Sequence, residues 1–316
     1  MSATAGTGKP EYLFSVNVGT PPTMRVDSGE VFTIEVRGAF DDIDDIRTVP
    51  TPFTPACDGH PLTPITGPVV VRGAMPGDRV LIDLLSLTPH GVGKSAILRD
   101  FGVLRREFAE PMAIVSSLQG ATALFGGRVP IKLNPNLGTV STMPPEGYKP
   151  AYAGAYGGDF DQRDLSAGSR LHLPVMVKDA LVFFADPHAA VSDGIITGTG
   201  IECAMTVRAR ITLVRGAAVE RPIIEQGGAL HFVGTGPSID AATEDAARAA
   251  VAFAARETPL SAEEAYMLLS IVGELRVGTS PRPIMATRLI VPCEVLRGAG
   301  WNGTIGGVAA EGRAPE

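Results

Sequence analysis

The stretch ADPHAAVSDGIITGTGIE, residues 185–202, gathers side chains able to do chemistry: Asp186, His188, Asp193 and Glu202, with the uncharged Ile195 among them. Asp186 and His188 lie two apart, so a strand continuing from ALVFFA would project both from one face at its end. Asp193-Gly194 reads as a turn, and Glu202 returns on the next strand. A hairpin of this kind would bring three or four ligands to one mouth. Carboxylate and imidazole donors together suit Zn²⁺ or Mn²⁺, and a metal there would acidify bound water and polarise a carbonyl. The competing reading is ordinary: Asp186 and Asp193 in turns, His188 packed, Glu202 paired with Arg208 or Arg210. Spacing alone favours it, because loop-borne Asp-x-His patterns are common.

A second cluster, FDDIDDI with CDGH, offers Asp41, Asp42, Asp44, Asp45, Asp58 and His60 as ligands or bases. For most of these a solvated acidic loop is the better reading. The tripeptide Gly93-Lys94-Ser95 is not a phosphate-binding loop, since position 88, where that motif needs glycine, is Thr88. Cys203 adjoins Glu202 but falls on the apolar face of an alternating strand, which reads as a buried structural thiol. There is no GxSxG nucleophile elbow.

The elements that must position these residues are mostly strands. MRVDSGEVFTIEVRG turns at Ser28-Gly29 and alternates Phe32, Ile34 and Val36 inward. An acidic, Pro-rich loop follows, too long for an idle connection. Met75-Pro76-Gly77-Asp78 splits two further strands. GIECAMTVRARITLV sets Ile201, Cys203, Met205 and Val207 on one face. Two helices come late: one capped by Ser238, the other opened by a Ser261/Glu264 capping box. RLIVPCEVL reads as a last strand and the Gly-rich tail after 297 as loosely ordered. The fold class is therefore α+β, β-rich with barrel- or sandwich-like sheets and two helices in the C-terminal third. The organisation expected is a flexible tail over 1–10, a β-rich catalytic region over 11–230 and an α+β region over 231–316 packed on it.

Composition narrows the function. The 316 residues carry a net charge of −7, with basic residues scattered, which argues against a nucleic-acid partner. No run approaches the roughly 20 apolar residues of a membrane helix, and the N-terminus lacks a signal-like apolar segment. Cys57, Cys203 and Cys293 form no CxxC pair, so a reduced, cytoplasmic setting is expected.

Four ordered stretches resemble the acetamidase/formamidase family over roughly residues 12–296. TPITGPVVVRGAMPGDRVLIDLL is similar to its NPxTGPxxVxGAxPGDxLxVxI. PNLGTVSTMPPEG is similar to its PxxGxxGxAP. The segment from Gly154 to Glu202 is similar to GGNxDxxxLxxGxxLxLPVxxxGALxxxGDxHAxxGDGExxGTAIE, and EEAYMLLSIVGELRVGTSPRP to EAYxLLSxxGDLRxxQ. The resemblance implies a metal-dependent hydrolase of short aliphatic amides, homo-oligomeric, a dimer or higher. By position it reverses the odds for Asp186, His188, Asp193 and Glu202, and it draws in Asp41 and, more loosely, His60. The chain departs from the family at Ile195 (the glutamate of GDGE), Asp159 (the asparagine of GGN), Thr279 (the C-terminal glutamine), Thr63 and Ile43.

The expectation is thus a small-amide hydrolase. A divalent metal, Zn²⁺ with Mn²⁺ or Ca²⁺ as alternatives, would be held by some of Asp41, His60, Asp186, His188 and Glu202. Asp193 or Glu202 would carry the water proton, and backbone N–H groups of 154–158 would hold the tetrahedral intermediate. Isoleucine can neither bind metal nor move a proton. Two alternatives follow: a non-catalytic small-molecule binding protein on the same fold, or the same mechanism on a more apolar amide with Ile195 as pocket wall.

Overall fold

Alternating burial organises the first strands of the chain, whose computed structural model describes residues 13–41, 43–54, 62–149 and 152–310. β1 (Met24–Val26) and β2 (Val31–Val36) flank the turn at Gly29, and β2 buries Phe32, Ile34 and Val36 while its other residues face out. β3 (Thr66–Val71) and β4 (Arg79–Ile97) are split at Met75–Asp78, where the Asp78 carboxylate accepts from Met75 N. An antiparallel meander follows: β5 (Met112–Gln119), β6 (Thr122–Phe125) and β7 (Val129–Lys132).

β8 (Asn136–Ser141), β9 (Ala153–Gly154), β10 (Gly157–Asp159), β11 (Arg170–Pro174), β12 (Val182–Ala190) and β13 (Ile201–Val214) complete the larger core. β13 is its spine. It pairs antiparallel with β4 along most of its length and with β2 through Met205↔Val36 to Arg210↔Val31. Ile201, Cys203, Met205 and Val207 are buried on one face. On the opposite face Arg208 is exposed but Glu202 is buried, a departure from the alternation at the strand's first turn inward.

The C-terminal third builds a second apolar core. β14 (Ile223–Gln226) and β15 (Ala229–Gly236) form a hairpin, followed by α1 (Ile239–Glu257), α2 (Ala262–Val272), β16 (Glu274–Thr279), β17 (Met285–Pro292) and α3 (Cys293–Gly298). The Ser238 hydroxyl accepts from Ala241 N, and Ser261 and Glu264 form the reciprocal capping box. α1 buries Ala242, Ala246, Ala250, Phe253 and Ala254 at helical spacing. Its small residues let it lie directly on β15: a Cβ at Gly234 would stand 2.2 Å from Ala242 O and Ala246 N. Phe253 packs between Phe232 and Trp301, at ring distances of 5.2 and 5.8 Å.

Among the described residues seventeen strands form one curled sheet, the β11–β14 pairing joining its two parts. The architecture is α+β and β-rich. The boundary expected at 230/231 falls inside β15. Two expectations are corrected. RLIVPCEVL is strand only to Pro292, after which Cys293 opens a short helix. The tail after 297 is ordered to Ala310: it buries Trp301, forms the hairpin β18 (Thr304–Ile305) and β19 (Val308–Ala309), and is gripped by buried arginines. Arg79 Nη2 donates to Ile305 O at 2.7 Å and Arg170 Nη1 to Ala309 O at 2.9 Å. Residues 1–12 lie outside the described residues, and no described helix is long and apolar enough to cross a membrane.

Candidate functional site

Four adjacent strands, in the order β10–β8–β12–β13, bring the chemistry together. Register does the positioning: His188 stands opposite Asn136 on one side and Glu202 on the other, and Asp159 opposite Thr139. Asp161 follows β10 in a tight turn whose Phe160 and Asp161 N–H groups both reach Gly138 O. Asp161 and Asp186 adopt φ of +44° and +55°, a conformation that disfavours residues with a Cβ and is held here only by surrounding structure. Gly138 lies beneath them. A Cβ there would meet Asp161 Oδ1 at 2.5 Å, Asp186 Oδ2 at 2.6 Å and His188 Cε1 at 2.9 Å.

The result is a buried group of Asp159, Asp161, Asp186, His188 and Glu202. One ligand atom from each of Asp161, Asp186 and His188 lies within 4.8 Å of the other two. His188 Nε2 is 3.3 Å from Glu202 Oε1 and 3.7 Å from Asp186 Oδ2, and its Nδ1 bonds Asn136 Oδ1 at 2.9 Å. Gly200 N donates to Glu202 Oε1 at 2.6 Å. Four atoms of this group find no hydrogen-bond partner among the described residues: Asp159 Oδ1, Asp161 Oδ1, His188 Nε2 and Glu202 Oε2.

Electrostatics follow from that crowding. Burial pushes the Asp159 carboxyl up to about 7, against the pull of Arg282 and with a further push from Asp161. Burial likewise raises Asp186 well above the carboxylate range, with His188 opposing and Glu202 adding to it. Burial alone would depress His188, but the charges of Glu202 and Asp186 outweigh it and lift the imidazole to about 10. Carboxylates that take up protons are what a buried anionic pocket does in the absence of enough positive charge.

Arg282, from the link between β16 and β17, is the cation that is present. Its Nη1 bonds Asp159, and its Nη2 lies 3.0 Å from Asp161 Oδ2 and 3.4 Å from Asp186 Oδ2. It also lines a cleft of about 300 Å³ with Phe53, Phe101, Arg105, Ser280 and Pro281.

Of the residues expected from sequence, Asp186, His188 and Glu202 meet in this pocket. Arg210 turns to Asp83 at 2.9 Å, leaving Glu202 to the cluster. Asp193 stands elsewhere: Arg288 Nη2 holds its Oδ1 at 2.8 Å, beside Asp164. Asp41 is exposed, and its Oδ2 accepts from Gly38 N at 2.9 Å. His60, Asp42, Cys57 and Asp58 lie outside the described residues. Within 154–158, Gly154, Gly157 and Gly158 are paired in the ladders of β9, β10 and β8, and Ala155 and Tyr156 form the turn between them. Burial raises the Cys203 thiol to about 12, as suits a structural cysteine. The Gly-Lys-Ser stretch ties loops together: Lys94 Nζ donates to Phe40 O, and Ser95 Oγ to Gly200 O.

Asp161, Asn136, Gly138 and Arg282 were not singled out from sequence. A signal existed for Asp161: with Asp159 it repeats the two-residue spacing of Asp186 and His188, and it falls on the aspartate of GGNxD. Arg282 carried none.

Comparison with known proteins adds a family and a fold. A family model described as the Acetamidase/Formamidase family matches residues 134–297, a span containing every member of the pocket. An acetamidase from Bacillus halodurans is 26% identical, with a TM-score of 0.84 over 92% of this chain and 97% of that one. An acetamidase from Yersinia enterocolitica is 24% identical, with a TM-score of 0.82 over 90% of each chain. A gamma lactamase from Delftia acidovorans shares the fold more distantly, at 20% identity and a TM-score of 0.59 over 94% of this chain and 90% of that one. No curated protein matches significantly.

Proposed function

Because the chain belongs to the acetamidase/formamidase family, and is by that membership an amide hydrolase, we propose that it cleaves the C–N bond of a small amide at the buried pocket, with a divalent cation held by Asp161, Asp186 and His188 and by Glu202 beside them. The observation that carries this reading is the set of four buried polar atoms, Asp159 Oδ1, Asp161 Oδ1, His188 Nε2 and Glu202 Oε2, without hydrogen-bond partners among the described residues. Buried acceptors left unpaired are costly, and a cation would satisfy several at once. Carboxylate oxygens with one imidazole suit Zn²⁺ or Mn²⁺; Ca²⁺ favours an all-oxygen set. When bound, such a cation supplies Lewis-acid polarisation of the amide carbonyl and acidification of a water.

The chain's own residues account for the rest. His188 donates Nδ1–H to Asn136 Oδ1, which fixes the ring's orientation and leaves Nε2 facing the carboxylates, where it would give up its proton to bind a cation. Glu202 has one oxygen tied to Gly200 N–H and the other, Oε2, unpartnered among the described residues. That oxygen is the acceptor proposed to take the proton of the attacking water and hand it to the departing nitrogen. Asp193 acts at a distance, holding the 193–195 turn to Arg288, while Ser280 Oγ grips Gly194 O. The aromatic cleft beside Arg282 favours an amide more apolar than formamide. Free, buried Cys203 and Cys293 accord with a reduced, cytoplasmic enzyme, and assembly as a homo-oligomer completes the reading.

Asp186→Ala and His188→Ala should each lose bound metal by elemental analysis and abolish ammonia release across a panel of amides. Full metal content in both folded variants would overturn the site.

A further inference from the structure

Arg282 makes contacts that a bound cation would need. Two of its three carboxylate partners, Asp161 and Asp186, belong to the set that lies within 4.8 Å together with His188. The third, Asp159, is not in that set. Arg282 Nε also reaches Thr279 Oγ1 at 3.3 Å, and Thr279 itself is fixed by a bridge to Gly194. Asp159 and Thr279 are two of the positions at which this chain departs from the family motifs. Both therefore serve the same guanidinium.

A guanidinium is a permanent, planar cation. Beside Asp161 and Asp186 it neutralises the oxygens that a metal ion would take, and its charge repels a second cation a few ångströms away. The neutralisation is incomplete, for Asp161 Oδ1, Asp159 Oδ1, Glu202 Oε2 and His188 Nε2 stay without hydrogen-bond partners among the described residues. Arg282 lines the 300 Å³ cleft, with its Cζ over the Phe53 ring at 5.8 Å from the centre, so a cation–π contact holds the guanidinium from the cleft side while the carboxylates hold it from within.

We propose that Arg282 is a resident counter-cation that competes with the metal ion for Asp161 and Asp186 and so sets the chain's metal affinity. The proposal rests on the metal-dependent reading above. It makes Arg282 a positioning and affinity-setting residue rather than a ligand or a base.

The test compares wild type with Arg282→Met and with the double variant Asp159→Asn/Arg282→Met, which removes the ion pair without changing the pocket's net charge. Mn²⁺ affinity is read from the paramagnetic signal of free Mn²⁺, Zn²⁺ affinity by competition with a chelator, and Tm in EDTA by calorimetry. Arg282→Met should bind Mn²⁺ about tenfold tighter or more, and the double variant should also bind more tightly than wild type. In EDTA, Arg282→Met should melt below wild type and recover on adding Mn²⁺. Should Arg282→Met fail to fold without metal, the double variant carries the affinity comparison. Wild-type or weaker affinity in the variants would overturn the competition while leaving the metal site standing. Absence of Mn²⁺ and Zn²⁺ binding in folded wild type would overturn both.

Discussion

Under the C-terminal hairpin, buried Arg79, Arg170 and His172 meet Asp83 and Glu225, whereas between β8, β12 and β13 four buried carboxylates meet one arginine and one histidine. The two clusters are similarly secluded but carry opposite surpluses. In the first the surplus is of donors, and neutral backbone carbonyls absorb part of it: Ile305 O takes Arg79 Nη2 and Ala309 O takes Arg170 Nη1. In the second the surplus is of anionic acceptors, which a backbone N–H such as that of Gly200 relieves for one oxygen only. Excess donors can be satisfied by the fold itself; excess carboxylates need positive charge. Arg79 Nε and His172 Nδ1 still lack hydrogen-bond partners among the described residues, so the first cluster is a clamp with spare donors, whereas the second holds spare acceptors that suit a binding site.

The largest effect expected from breaking this contrast is at Gly138. Gly138→Ala would put a methyl group 2.5–2.9 Å from Asp161, Asp186 and His188, so the ligands must part while the surrounding sheet keeps its pairing. A displacement of this order at reacting groups costs about 100-fold in turnover. Ammonia release should fall by that amount and metal content with it, while the melting temperature of the clamp side is maintained. Unchanged activity would show that the pocket is looser than its geometry indicates.

Glu225→Gln attacks the other member of the pair. It removes the carboxylate that Arg170 Nη1 meets at 3.2 Å and that His172 bonds, and it strips Arg79 of its compensating charge. Breaking a buried pair from one side costs about 3 to 5 kcal/mol, to be read in a denaturant titration, and the tail from Gly298 should become sensitive to protease. Metal binding should not change. If it does, the two clusters are coupled and the division between clamp and site is wrong.

How much of this was legible before folding differs between the two clusters. Strand periodicity alone places Asp186 beside His188 on one face, and the turn at Gly194 returns Glu202 to them, because these depend on neighbours in one hairpin. The turn at Asp193-Gly194 is real, yet its carboxylate goes to Arg288, on a strand far along the chain. Asp161 sits among several loop aspartates, and only the pairing of β10 with β8 singles it out. Arg282 lies in a Ser-Pro-Arg-Pro link that reads as a connector. The tail reads as loose because glycine content reports local freedom, whereas its order comes from arginines on β4 and β11. Local pattern carried the elements and half of the pocket; the remainder is set by pairings between distant strands.

The smallest effect separates the clusters by pH. Burial holds the His172 imidazole below its ordinary value, against the opposing bond and charge of Glu225. At neutral pH it is therefore uncharged and donates Nε2–H to Glu225. A folded-state value below the unfolded one means that acid favours the unfolded chain, which accepts the proton more readily. The stability contributed by His172 is present in full above about pH 6.5, the ordinary histidine value, and declines as pH falls below it. His172→Gln keeps an N–H donor for Glu225 but cannot titrate, so its stability should fall less steeply than that of wild type between about pH 6.5 and 4.5, the two being compared by denaturant titration with saturating Mn²⁺ present throughout. Parallel curves would mean that acid weakens the fold through other groups, and that the donor-rich clamp is insensitive to pH in this range.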